Sequence, residues 1–99
     1  MEHLVVDFKH DIEDIIPFSE FVKNIKLVLA QAKVGEYLND DMAIDGGDAE
    51  AFFSCPDARI LFKFLEPHLR RLSFMHQAKV TLVFGPLDSG SETIQIVLD

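Results

Sequence analysis

Five carboxylates, Asp40, Asp41, Asp45, Asp48 and Glu50, fall within eleven positions that contain no lysine or arginine. Oxygen-rich stretches of this kind hold hard divalent cations or face basic proteins, and Asp45 and Asp48, flanking Gly46 and Gly47, are the metal candidates. An EF-hand register starting at Asp41 fails, because Ala43 and Phe52 would occupy the third and twelfth ligand places. A third reading needs no ligand: a charged hairpin keeps a sheet edge solvated and unpaired. Cys55 is the one candidate nucleophile. It precedes Pro56 and Asp57, where a helix is expected to open, and a thiol at a helix N-terminus ionises more readily. His68 or His76 would have to reach it through the fold, and Ala58 stands where a Cys-x-x-Cys pair would need its second cysteine. A lone cysteine beside a strand end also serves simply as a small buried side chain.

His3, His10, His68 and His76 have no two-ligand helical spacing. His68 lies close to Arg70 and Arg71 at a helix end; an anion site is one reading, and a helix macrodipole that favours cations is the other. Glycine-rich phosphate loops and a Gly-x-Ser-x-Gly elbow are absent, since the segment from Gly85 to Gly90 ends a strand but opens no helix. Nucleotide-dependent and serine-hydrolase chemistry therefore gain no support.

The 99 residues suit one domain, and 48% hydrophobic with 26% charged residues is the balance of a chain that folds. A net charge of −8 argues against nucleic-acid binding, which depends on basic side chains that displace counterions. No apolar run is long enough for a membrane span, and Met1-Glu2-His3 does not open a signal peptide, so the expected location is the cytoplasm. One cysteine excludes an internal disulfide and agrees with a reducing compartment. The charge is unevenly placed: residues 36–57 carry −7, whereas residues 21–35 and 58–79 carry +3 and +4.

Hydrophobic periodicity supplies the elements that must position these groups. Leu4, Val6 and Phe8 alternate with Val5 and Asp7, as in a half-buried strand. Phe18, Phe21, Val22, Ile25, Val28, Leu29 and Ala32 recur at helical spacing after Pro17 or Ser19, and Gly35 is expected to supply the left-handed stop. A strand near 36–44 and another from Ala49 flank a Gly46-Gly47 turn. Ser54 and Asp57 read as a capping box for a second helix with Ala58, Leu61, Phe62, Leu65, Leu69 and Leu72 on one face. Pro67 predicts a kink or an end near Glu66. Two further strands, Lys79 to Phe84 and Glu92 to Leu98, complete the order β-α-β-β-α-β-β. This is an α+β two-layer sandwich with a mainly antiparallel sheet, the split β-α-β order of ferredoxin-like folds with one strand added.

The run from Pro56 to Leu69, after Ile44-Asp45-Gly46-Gly47-Asp48, resembles small uncharacterised bacterial α+β proteins in which Gly-Pro-Asp-Ala-Asp leads into a helix with Leu-Phe and Pro-x-Leu. Cys55 replaces the glycine of that pattern and Arg59 its second aspartate. The resemblance bears on fold and implies no cofactor or activity. Ile60 and Phe64 lie off the main apolar stripe of the second helix, so that this segment is either deeply buried or contacts a second copy in a homodimer. The expected function is binding without catalysis: an acidic domain that docks a basic protein partner through Asp40, Asp41, Asp45, Asp48 and Glu50, with Ile60 and Phe64 as apolar contacts. The alternative is a small-molecule binder or small enzyme using a crevice near Cys55.

Overall fold

The structure is a computed structural model and describes residues 1–9, 16–42, 48–72, 75–87 and 90–98. Along the chain run β1 (Glu2–Lys9), α1 (Ile16–Ala32), β2 (Glu36–Met42), β3 (Asp48–Cys55), α2 (Ala58–Arg70), β4 (Lys79–Val83) and β5 (Thr93–Val97). The strands form one five-stranded sheet in the order β2-β3-β1-β4-β5, and every adjacent pair is antiparallel. The chain is thus an α+β fold. Among the described residues no helix is long and apolar enough to cross a membrane.

Strand alternation decides which side of the sheet the helices cover. Leu4, Val6 and Phe8 of β1 are buried and oppose Phe53, Ala51 and Ala49 of β3, while Leu4 and Val6 also oppose Leu82 and Val80 of β4. These side chains join Phe18, Phe21, Ile25 and Leu29 of α1 and Ala58, Leu61, Leu65 and Leu69 of α2 in one apolar cluster. Burial of such side chains contributes about 1.5–3 kcal/mol each before conformational entropy is set against it. The opposite face, carrying His3, Val5 and Asp7, lies outside that cluster.

Three local expectations are corrected. Asp57 caps α2, with its carboxylate accepting from the Arg59 and Ile60 amides at 2.9 and 3.3 Å, whereas Ser54 belongs to β3. The cap therefore falls three residues later than Ser54. α2 continues through Pro67 to Arg70 instead of ending near Glu66. Pro67 and Lys63 are both exposed, so water can reach the Lys63 carbonyl that loses its amide partner. The left-handed residue after α1 is Lys33, at φ 57°, whose amide donates to the Leu29 carbonyl. Gly35 is instead a point of close approach, where a Cβ would stand 2.9 Å from the Ser54 carbonyl oxygen and 3.2 Å from Cys55 Cβ. Its lack of a side chain lets the α1–β2 connection lie against β3.

A candidate interaction face on the helix-free side of the sheet

Cross-strand register assembles a row of acids that linear spacing does not reveal. Asp41 of β2 opposes Glu50 of β3, Glu50 opposes Asp7 of β1, and Asp7 opposes Lys79 of β4. Directly opposed side chains on adjacent strands stand roughly 5 Å apart at Cβ, and like charges so placed are destabilising. Register therefore gathers three carboxylates in one cross-strand row that ends at Lys79. They line a cleft of about 720 Å³ together with Lys9, His76, Gln77, Lys79 and Gln95. The neighbouring row, Asn39, Phe52, Val5, Thr81 and Gln95, gives the same face a partly apolar centre.

A bulge determines which acids take part. Register shifts between Tyr37 and Asn39, so Tyr37 pairs with Phe53 and Asn39 already pairs with Phe52. As a result Asp40 opposes Ala51 on the helix-covered side and Asp41 opposes Glu50 on the other. The Tyr37 hydroxyl donates to the Asp40 carboxylate, and the Lys26 ammonium lies 5.4 Å from the centre of the Tyr37 ring. Burial, that hydrogen bond and the Asp40 charge all push the Tyr37 phenol well above its usual range. Of the five acids singled out from sequence, the structure brings Asp41 and Glu50 together and sets Asp40 on the other side. Asp48 lies in β3 opposite Lys9, and Asp45 falls outside the described residues. Asp7, which linear spacing did not single out, joins the row; its place in a polar-apolar alternation was the signal that it faced away from the core.

The surroundings of Cys55 run against activation. Its side chain is 1% exposed, and burial, then the charges of Glu2 and Asp57, push the thiol up to about 11. Glu2 Oε1 accepts from the Ala58 amide at 2.7 Å, so two carboxylates already occupy the positive end of α2. A hollow of about 280 Å³ lies beside Cys55, lined by Leu29, Lys33, Gly35, Glu36 and Ser54 among others. His3 Nδ1 is 2.9 Å from the Gly85 carbonyl and so donates to it. His68 stacks near Phe64 at 5.6 Å, Arg70 is paired with Glu66 at 2.8 Å, and His76 borders the acidic cleft. His10 falls outside the described residues. Ile60 is exposed, while Phe64 is half-buried and packs against the core. Among the described residues no group of three or more His, Cys, Asp or Glu side chains is arranged to hold a metal ion.

No known protein family, curated protein or solved structure matches this chain.

Proposed function

We propose that the chain is an interaction domain whose helix-free sheet face receives a basic protein segment. The observation that carries this reading is the cross-strand row Asp41, Glu50 and Asp7. A Lys- or Arg-bearing segment would pair with that row, and the half-buried Phe52 and Thr81 beside it would contact apolar side chains of the same segment. Such a contact forms fast and weakens with salt, because exposed charges are screened over about 8 Å at physiological ionic strength. Binding here is an end in itself, without catalysis. The proposed architecture is the ferredoxin-like split β-α-β sandwich, supported by β3 lying between β1 and β2 with β4 on the far side of β1.

Titration of the isotope-labelled chain with a lysine-rich decapeptide tests the reading by NMR. Amide shifts should centre on Asp7, Glu50, Asp41 and Lys79, should vanish at high salt, and should not appear with a glutamate-rich peptide of equal length. Shifts confined to α1 and α2, or none at millimolar peptide, would overturn it. A second reading, small-molecule binding beside Cys55, draws on the hollow there. Shifts of Leu29, Gly35 and Ser54 in a fragment screen would favour it.

A further inference from the structure

The two outer strands of the sheet, β2 and β5, are built differently. β2 carries Glu36, Asp40 and Asp41 and contains the bulge, both of which discourage pairing with another strand. β5 reads Thr-Ile-Gln-Ile-Val, a run of strand-favouring residues with no charge and no proline. Its register with β4 is unbroken from Lys79–Val97 to Val83–Thr93. Ile94 is 42% and Val97 53% exposed, and neither helix packs on this strand among the described residues.

The hydrogen bonds at the ends of the β4–β5 ladder fix which backbone groups face outward. The Phe84 amide donates to the Glu92 carbonyl and the Leu98 amide to the Ala78 carbonyl, each at 2.9 Å. Antiparallel ladders alternate, so the even-numbered residues of β5 bond to β4, and Thr93, Gln95 and Val97 direct their N–H and C=O groups to the outer edge, which no other strand among the described residues pairs with.

We propose that Thr93–Val97 pairs antiparallel with the same segment of a second copy, about a two-fold axis at Gln95. This register matches Thr93 with Val97, Gln95 with Gln95 and Val97 with Thr93, and each pair exchanges both of its N–H···O bonds. Ile94 meets Ile96 of the second copy on the side of the sheet that carries Leu82 and Val80 and extends the apolar layer across the axis. Charge selects a second copy of β5 as the occupant. In a chain of net charge −8, self-association must avoid opposing the acidic segments, and β5 brings five uncharged residues against five uncharged residues. Pairing β5 with β2 of another copy would set isoleucines against the bulged, acidic edge and would generate an open-ended filament in place of a closed dimer. The two sheets become one continuous sheet with both acidic clefts on the same side, and Gln95 both lines the cleft and marks the axis. The dimer does not depend on what the cleft binds.

Sedimentation equilibrium on the full chain tests the pairing. The wild-type chain should approach twice its 11.2 kDa mass at high micromolar concentration. Gln95→Glu and Gln95→Lys each place like charges face to face on the axis and should raise the dimer dissociation constant at least about ten-fold, and an equimolar mixture of the two should restore the dimer. Gln95→Pro removes only an outward N–H and should also give monomer, with circular dichroism confirming that the variants fold. A wild-type monomer under these conditions overturns the proposal. So does a dimer that survives all the Gln95 substitutions, or one lost instead on Ile60→Asp.

Discussion

Replacing Gly35 by alanine separates two accounts of why glycine stands there. As a helix stop it would need a positive φ, yet the left-handed residue is Lys33. As a point of close approach it must keep Cβ-sized volume free, because an added Cβ would lie 2.9 Å from the Ser54 oxygen, 3.1 Å from Leu61 Cδ1 and 3.2 Å from Cys55 Cβ. The leucine methyl can rotate away. The carbonyl oxygen and the cysteine Cβ are fixed by the β3 backbone and cannot. Overpacking of this kind costs about 1–3 kcal/mol, and alanine recovers about 0.4–1 kcal/mol by restricting the unfolded chain, which leaves a net loss of about 1–2 kcal/mol. For a domain of this size that lowers Tm by about 4–16 °C. Urea denaturation and thermal melts followed by far-ultraviolet circular dichroism measure both quantities. Gly35→Asn sharpens the test: asparagine tolerates the left-handed region, so a helix stop would accept it better than alanine, whereas a close contact penalises it at least as much. An unchanged Tm for Gly35→Ala, or an asparagine variant more stable than the alanine one, would refute the contact argument. Lys33→Gly should raise stability by up to about 1 kcal/mol, because a left-handed side chain costs about 1–2 kcal/mol and glycine returns part of that as unfolded-state freedom.

Pro67→Ala should stabilise the chain by about 1–3 kcal/mol in the same assay, since it restores an amide donor to α2 at an exposed site. Asp57→Ala should cost about 1 kcal/mol by removing the acceptor for the Arg59 and Ile60 amides, and Asp57→Asn should recover most of it. Stability should fall as pH rises from about 9 to about 11, because the unfolded Cys55 thiol loses its proton first; full titration corresponds to roughly 3 kcal/mol. Tyr37 adds a fall of the same sign from about pH 10. Chemical denaturation at stepped pH should show Cys55→Ala abolishing the first fall and leaving the second. Thiol reagents should label Cys55 slowly at neutral pH in the folded chain and rapidly in urea.

Both helices, β1 and β5 fall near where hydrophobic periodicity puts them, because burial on one face leaves a direct trace in the spacing of Leu4, Val6 and Phe8 or of Leu61, Leu65 and Leu69, whereas β2 and β3 are marked by the turn signal between them. Features that depend on which strand lies beside which leave no such trace. Asp7 stands far from Glu50 in the chain, and only the β1–β3 register makes them neighbours. Asp40 and Asp41 look like one acidic pair until strand pairing assigns them to different sides. Local chemistry misled at Ser54, where a serine three residues before an aspartate imitates a cap, and at Gly35, where crowding from β3 and α2 looks in sequence like helix punctuation. At Pro67 the cost of the missing amide depended on solvent access, which the sequence does not state.

The bulge at Leu38 has a consequence for how this edge tolerates change. Strands count in twos, and one surplus residue resets the count for everything that follows. Because of that reset Tyr37 and Asp40 share a side, and Asp41 arrives in step with Glu50. The surplus residue is therefore slack in the chain. Deleting Leu38 would let Tyr37 and Asn39 pair in succession with Phe53 and Phe52, and every acid would keep the partner it has now. Inserting a residue after Asn39 has the opposite effect, since Asp40 and Asp41 would then exchange sides. What the deletion removes is the kink: β2 would become a straight edge, open to the strand pairing that the surplus residue obstructs. One residue thus guards the border of the sheet without belonging to its pattern of partners.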